Sequence, residues 1–324
     1  MAEFDVAIVG TSLLSGLLAG ILARDYGRKL VRIGRQRSAQ RLPRSVDLAL
    51  PLATRPETWG MLRRAAAETR TLLGSMGTPE AATSSEVELL ADLPQSTAAL
   101  DHLAHMALGH GHQLRRTPGG WALRRVAGID AGAVERRLRD WLTAAGVSLV
   151  DNGPVDAATT VLADDDAVFD YLAETDRPAL LVPQSMTSTL LVCRPQSASI
   201  RHFVDRGVTL LARSGGTTLA VARGELEVEA RIASTLPGPF PVKRLATTRF
   251  RRFASVDGAP VVGKVGKAFV VAGLGDATPF FAPALARFIA GASEPEEKRW
   301  FATHAPGKDR TAIADFVSAA EASA

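Results

Sequence analysis

Three groups of residues in this chain have the types and spacing to do chemistry. The first is Gly10, Ser12 and Ser15, small residues at the spacing of a phosphate-binding turn. Small side chains let backbone N–H groups approach a pyrophosphate, and a helix starting in the turn adds partial positive charge. The usual pattern has three glycines and, about 20 residues on, an acid that holds a ribose hydroxyl. Here Gly34 stands at the acid's place and Arg35 follows it. The second group is Gly273 and Gly275, with Asp276 and Thr278 just beyond. A strand ending in glycines ahead of a helix presents backbone donors at the carboxyl edge of a sheet. The third group consists of side chains that bind metals: Asp164–Asp166, and His102, His105, His110 and His112. Consecutive acids do not converge on one ion, so the triplet reads as a solvated turn and helix cap. The histidines have no cysteine or acidic cluster beside them and read as a polar helix end and loop.

The elements needed to position these groups are legible. Val6–Val9, the turn, a helix-like run Leu13–Arg24 and a second apolar run Leu30–Ile33 form a strand, turn, helix and strand. Such a unit either holds a dinucleotide or keeps the fold without its ligand. Residues 35–51 form an irregular loop, and Pro56 opens an amphipathic helix to Leu73. Residues 77–96 show no period, and Ala98–Leu108 reads as a helix. Asp130 caps a helix with Val134, Leu138, Trp141 and Leu142 on its apolar face, and Gly146 ends it. Strands are expected at Val147–Val150 and Thr160–Ala163. The β-branched runs from Met186 to Val228 predict an inserted antiparallel sheet, followed by a helix over Glu225–Ala233. The chain returns through Phe250–Phe253, the Asp257–Gly258 turn, a strand at Ala268–Val271 and a helix from Pro283 to Ala290.

Composition narrows the function classes. The 324 residues suffice for a large core, and the net charge of +4 is small for that length. Arginine clusters at 32–44, 115–139 and 249–252 are each able to touch an anion, with solvated faces the plainer reading of the first two. No interleaving of basic and aromatic residues points to a nucleic-acid groove. Cys193 is the single cysteine, which excludes an internal disulfide framework and a paired-cysteine metal site. No basic region precedes the first apolar run, and Leu13–Ala23 is too short to span a bilayer. A cytoplasmic protein is expected.

The order of elements resembles the FAD-dependent oxidoreductases of the D-amino-acid oxidase type, including the glycine-oxidase-like and sarcosine-oxidase-like members. Three segments carry the resemblance: FDVAIVGTSLLSGLLAGILA from Phe4, GIDAGAVERRLRDWLTAAGVSLV from Gly128, and the stretch from Arg251 to Gly291. The last is the most specific. It places Arg252 ahead of the Asp257–Gly258 turn, then Pro260 and Gly263, then Gly273 and the Ala282–Pro283 helix start. The resemblance implies an α/β fold: a Rossmann-like FAD-binding domain with an inserted antiparallel-sheet substrate domain. Residues 1–75, 120–185 and 245–324 would form the first, and 76–119 with 186–244 the second.

The resemblance also implies FAD held by Gly10, Ser12, Ser15, Gly34, Arg35, Gly273, Gly275, Asp276 and Thr278. Arg252 matches the position that binds the substrate carboxylate in some members. A small amine or amino acid would be oxidised at its C–N bond, with the flavin doing the chemistry. The sequence departs from the pattern at Ser12, Ser15 and Gly34, and at Asp164–Asp165, where the family's middle strand ends in small residues. Leu274 and Thr278 replace a frequent His and a frequent Gly. Two rivals stand beside this reading. One is a non-catalytic homologue serving as a subunit or scaffold for a protein partner or in a homo-oligomer. The other is a nicotinamide enzyme in which Arg35 meets a 2′-phosphate.

Overall fold

The structure is a computed structural model that describes residues 2–34, 42–50, 55–193, 200–225, 227–236, 238 and 242–307. Two sheets organise the chain. In chain order the elements are β1 (Phe4–Val9), α1 (Leu13–Tyr26), β2 (Leu30–Ile33), α2 (Pro56–Ser75), β3 (Ala82–Leu90), α3 (Pro94–Gly109), β4 (Gln113–Thr117), β5 (Gly120–Ile129), α4 (Ala131–Ala144), β6 (Ser148–Val150), β7 (Ala157–Leu162) and α5 (Asp165–Tyr171). Then follow β8 (Leu181–Val192), β9 (Ile200–Phe203), β10 (Val208–Arg213), β11 (Thr217–Arg223), α6 (Val228–Thr235), β12 (Lys243–Ser255), β13 (Val261–Val265), β14 (Ala268–Ala272), α7 (Ala282–Ala290) and α8 (Pro295–Thr303).

The first sheet has six strands in the order β13-β14-β7-β1-β2-β6, parallel except for the β13–β14 pair. β1 and β7 are buried centrally, which explains their near-continuous apolar runs. α1 is buried from Leu13 to Leu22 and runs between the sheet, α4 and α7, so it is apolar all round rather than on one stripe. On the sheet's other face, Ala7, Val9, Val31 and Ile33 pack with Val168 and Phe169 of α5 and with Phe253 of β12.

The second sheet has eight strands in the order β12-β8-β11-β10-β9-β3-β5-β4 and is antiparallel except between β3 and β9. It is larger than the sequence suggests. β3 falls within the stretch read as lacking a period, because its first half is exposed or only partly buried and Val87–Leu90 alone is fully buried. Residues 120–129 and the strand over 243–255 were assigned by sequence to the nucleotide-binding part. Both run in the second sheet, where β5 pairs with β3, and β12 pairs with β8 from Lys243 to Ser255. The helix expected from Glu225 starts at Val228, because Glu227 adopts a left-handed φ of 54°. Among the described residues, no helix is long and apolar enough to cross a membrane.

Candidate active site

The carboxyl edge of the parallel sheet faces the second sheet across a cavity of about 250 Å³. Its walls are mainly apolar, from Leu48, Leu50, Val87, Leu89, Ile200 and Val221. Its polar side chains include Arg252, His202, Thr209 and Arg223 from the second sheet and Asp276 from the turn after β14. An apolar cavity with a few convergent polar groups is the usual form of a small-molecule site.

Strand alternation places Arg252. Its neighbour Phe253 stacks on Phe169 with ring centroids 3.9 Å apart, and the Phe253 N–H donates to Asp165 Oδ2 at 3.0 Å. That anchors β12 to α5 and turns Arg252 to the cavity side. The Arg252 guanidinium is already engaged. It donates to Asp276 Oδ1 at 3.4 Å and to the Arg44 carbonyl, and its charge also reaches Asp47 and Asp165. Arg223 lies on the same sheet, at the end of β11, with β8 between it and β12. It has no carboxylate partner among the described residues, and burial together with Arg231 holds its pKa below the usual arginine value.

Around Arg252 sit two acids: Asp47, which the sequence did not single out, and Asp165, which it read as part of a solvated turn. Burial pushes the Asp47 carboxyl up to about 7, with Asp276 adding to the effect and the Ser45 hydroxyl, donating at 2.8 Å, and Arg252 opposing it. Burial likewise pushes Asp165 up to about 6, against the N–H donors of Phe253 and Gly273. The solvated turn expected at 164–166 is thus a packed one. Asp165 reaches toward β12, and Asp166 pairs with Arg44 at 2.6 Å. His202, whose Nδ1 is 2.7 Å from the Thr209 hydroxyl, is held below the ordinary imidazole range by burial and is neutral at pH 7. No sequence motif marks Asp47, His202 or Arg223. His202 and Arg223 come from β9 and β11 of the second sheet, while the loop that carries Asp47 is pinned on the turn after β14, with the Leu48 N–H donating to the Asp276 carbonyl at 2.9 Å.

The glycine-ended strand behaves as expected of a sheet edge. Gly273, Gly275 and Asp276 line the cavity. Asp276 also accepts the Val46 N–H at 3.3 Å, and the Thr278 hydroxyl turns back to the Gly275 carbonyl. At the other end, Gly10, Ser12 and Ser15 form the expected turn, and Ser12 caps α1 by accepting from the Ser15 N–H at 3.3 Å. The buried Arg32 donates to the Ser15 hydroxyl at 3.1 Å. Arg35 lies outside the described residues. Among the described residues, no three His, Cys, Asp or Glu side chains stand together to hold a metal ion.

The dinucleotide implied by the sequence meets two different surroundings. At the ring end, the cavity beside Gly273–Ala277 offers room. At the diphosphate end, the donors are taken. Asp164 Oδ2 accepts the N–H groups of Thr11 at 2.7 Å and Ser12 at 2.8 Å, while its Oδ1 accepts the Ala167 N–H at 2.8 Å and caps α5. A carboxylate therefore stands where a pyrophosphate oxygen belongs. Beside it, Gly34 has φ +144°, and a Cβ there would lie 2.6 Å from the Gly10 carbonyl oxygen. The seat for a ribose-binding acid is thus filled by backbone. In this arrangement the ring end fits the group and the diphosphate end does not.

The fold is that of the amine and amino-acid oxidases. The chain is similar to glycine oxidase from Geobacillus kaustophilus, with a TM-score of 0.69 and 16% identity over 91% of this chain and 96% of that one. It is also similar to iminodiacetate oxidase from Chelativorans sp. BNC1, at 0.68 and 17% over 90% and 96%. A further match is L-proline dehydrogenase from P. horikoshii, at 0.74 and 11% over 94% and 97%. These likenesses bear out the resemblance read from the sequence at the level of fold. No family model matches the sequence, and no curated protein matches it.

Proposed function

We propose that the protein is an oxidoreductase acting on the C–N bond of a small amine or amino acid, seated in the cavity between the two sheets. One observation carries this reading: a mainly apolar cavity of about 250 Å³ at the carboxyl edge of the parallel sheet, in a fold shared with amine and amino-acid oxidases. Arg223 is the better anchor for a substrate carboxylate, because Arg252 already serves Asp276 and the Arg44 carbonyl. A desolvated guanidinium without a partner gains most from a bidentate carboxylate. Neutral His202 lies on the same wall and is placed to accept a proton from a substrate ammonium group. FAD, when bound, supplies the two-electron acceptor.

A second reading is favoured by Asp164. With its carboxylate in the diphosphate seat, the chain is a non-catalytic homologue that keeps the fold as a subunit for a partner protein. One experiment separates the two. The visible spectrum of the purified protein is recorded before and after titration with FAD, and the flavin-loaded protein is then mixed anaerobically with small amines and amino acids. Flavin bands that bleach support the oxidoreductase. In that case Arg223→Met raises KM for amino acids by about tenfold or more and changes turnover of simple amines little. A colourless protein that ignores added FAD supports the second reading.

A further inference from the structure

A second concave site lies away from the inter-sheet cavity, and its construction begins with a pattern on α2. Trp59 and Leu62 are buried, while Ala66 and Ala67 are small and leave a gap with Arg63 and Arg70 on its flanks. Facing that gap are the turn His110–His112 between α3 and β4 and the segment Arg124–Ala127 of β5. Together they enclose about 290 Å³.

The β5 wall is irregular. Ser85 pairs with Val126 and Val87 pairs with Leu123, so Arg124 and Arg125 together oppose Glu86. This is a bulge with one extra residue, and it breaks the alternation of faces: Leu123 is buried, Arg124 and Arg125 are both exposed, and Val126 is buried again. Arg125 holds φ 58°, a left-handed conformation that is strained for a bulky side chain. Bulges of this kind re-aim side chains beside functional sites.

The lining contains no Asp or Glu among the described residues. Arg124 is neutralised by Glu86 at 3.3 Å, and Glu86 also takes Arg115 at 3.2 Å. Arg63, Arg70 and Arg125 have no carboxylate partner among the described residues. His110 stacks on Trp59 with ring planes 12° apart, and burial holds both His110 and His112 below the usual imidazole range. Three uncompensated guanidinium groups are therefore gathered on one cavity with neutral imidazoles between them. Collecting like charges costs free energy that an anion would recover.

We propose that this groove is a second binding site, for a small phosphate-bearing anion. Guanidinium forks match phosphate oxygens bidentately, and three of them around one cavity suit a group with several anionic oxygens. Ala49 borders the groove while its neighbours Leu48 and Leu50 border the inter-sheet cavity, so one short segment is shared by both.

The test is calorimetric titration of the full chain with inorganic pyrophosphate at low ionic strength. Wild type should bind with a dissociation constant on the order of 10–100 µM. The informative variant is Arg125→Gly. Glycine accepts the left-handed backbone, so the bulge and the fold persist while the guanidinium is lost. That variant should bind about tenfold more weakly or worse, with a melting temperature equal to or above wild type. Arg63→Ala with Arg70→Ala should remove the remaining binding. The proposal is overturned if wild type gives no binding heat, or if these variants bind pyrophosphate like wild type, which would place the anion outside this groove. Citrate binding as tight as pyrophosphate would overturn the phosphate assignment. None of these readouts uses flavin or turnover, so failure here leaves the oxidoreductase reading standing.

Discussion

Asp164 is a single carboxylate that ties the N-terminal ends of two helices, taking two N–H groups at the start of α1 and one at the start of α5. Asp164→Ala should therefore lower stability by about 2–3 kcal/mol in thermal or denaturant melts. The same change empties the diphosphate seat, so FAD affinity, read by flavin fluorescence, should rise. A loss of stability without FAD uptake would mean that the backbone contact between Gly34 and Gly10 closes the seat unaided. Asp47 makes a separate prediction. Its folded pKa of about 7 lies above the unfolded value of 3.8, so between those limits the folded chain keeps a proton that the unfolded chain has released. Stability accordingly falls as pH rises through that window and levels off above it. Asp47→Asn should reduce this slope, leaving the part that Asp165 contributes below about pH 6, and be more stable than wild type at about pH 8, by roughly 1–3 kcal/mol. A wild-type profile already flat across the window would rule out a buried neutral Asp47.

At the scale of elements, the contact between α1 and α4 sets how the first helix sits on the sheet. A Cβ at Gly20 would lie 1.9 Å from the Trp141 ring, so the indole packs directly on helix backbone. Gly20→Val should force the ring out and cost about 2–4 kcal/mol, measured as a lower denaturation midpoint. An unchanged midpoint would mean that the two helices are not pressed together there. The strands and helices of this unit were legible in the sequence because each carries a complete local signal: an apolar run with a glycine stop, or a cap with a helical stripe. β3 was not, because half of its residues face outward and its neighbours β5 and β9 come from distant parts of the chain. The candidate site was legible only in outline. Gly273, Asp276 and Arg252 were found from a segment pattern, whereas Asp47, His202 and Arg223 come from three separate elements with no spacing to relate them. The filling of the diphosphate seat was half visible: the acids at 164–165 stood out in the sequence, but not the direction in which each side chain turns.

Across the whole molecule, Arg287 joins three helices. It meets Glu297 of α8 at 2.6 Å and Glu68 of α2 at 3.0 Å. Glu297 is 1% exposed, so its charge depends on this partner. Arg287→Met should leave the buried Glu297 carboxylate without its cation and destabilise the fold by about 3–5 kcal/mol, read as a lower melting temperature. A small change in melting temperature would show that the helices hold without it. β12 ends the eight-stranded sheet and pairs only with β8 among the described residues. A long unpaired edge is a template on which a second copy can add its own strand. This strand carries Lys243, Arg244, Arg249, Arg251 and Arg252, and the first four of these are exposed. Two such edges approaching each other bring like charge against like charge, which opposes that addition. That protection rests on unscreened charge, so it weakens as ionic strength shortens the reach of each cation.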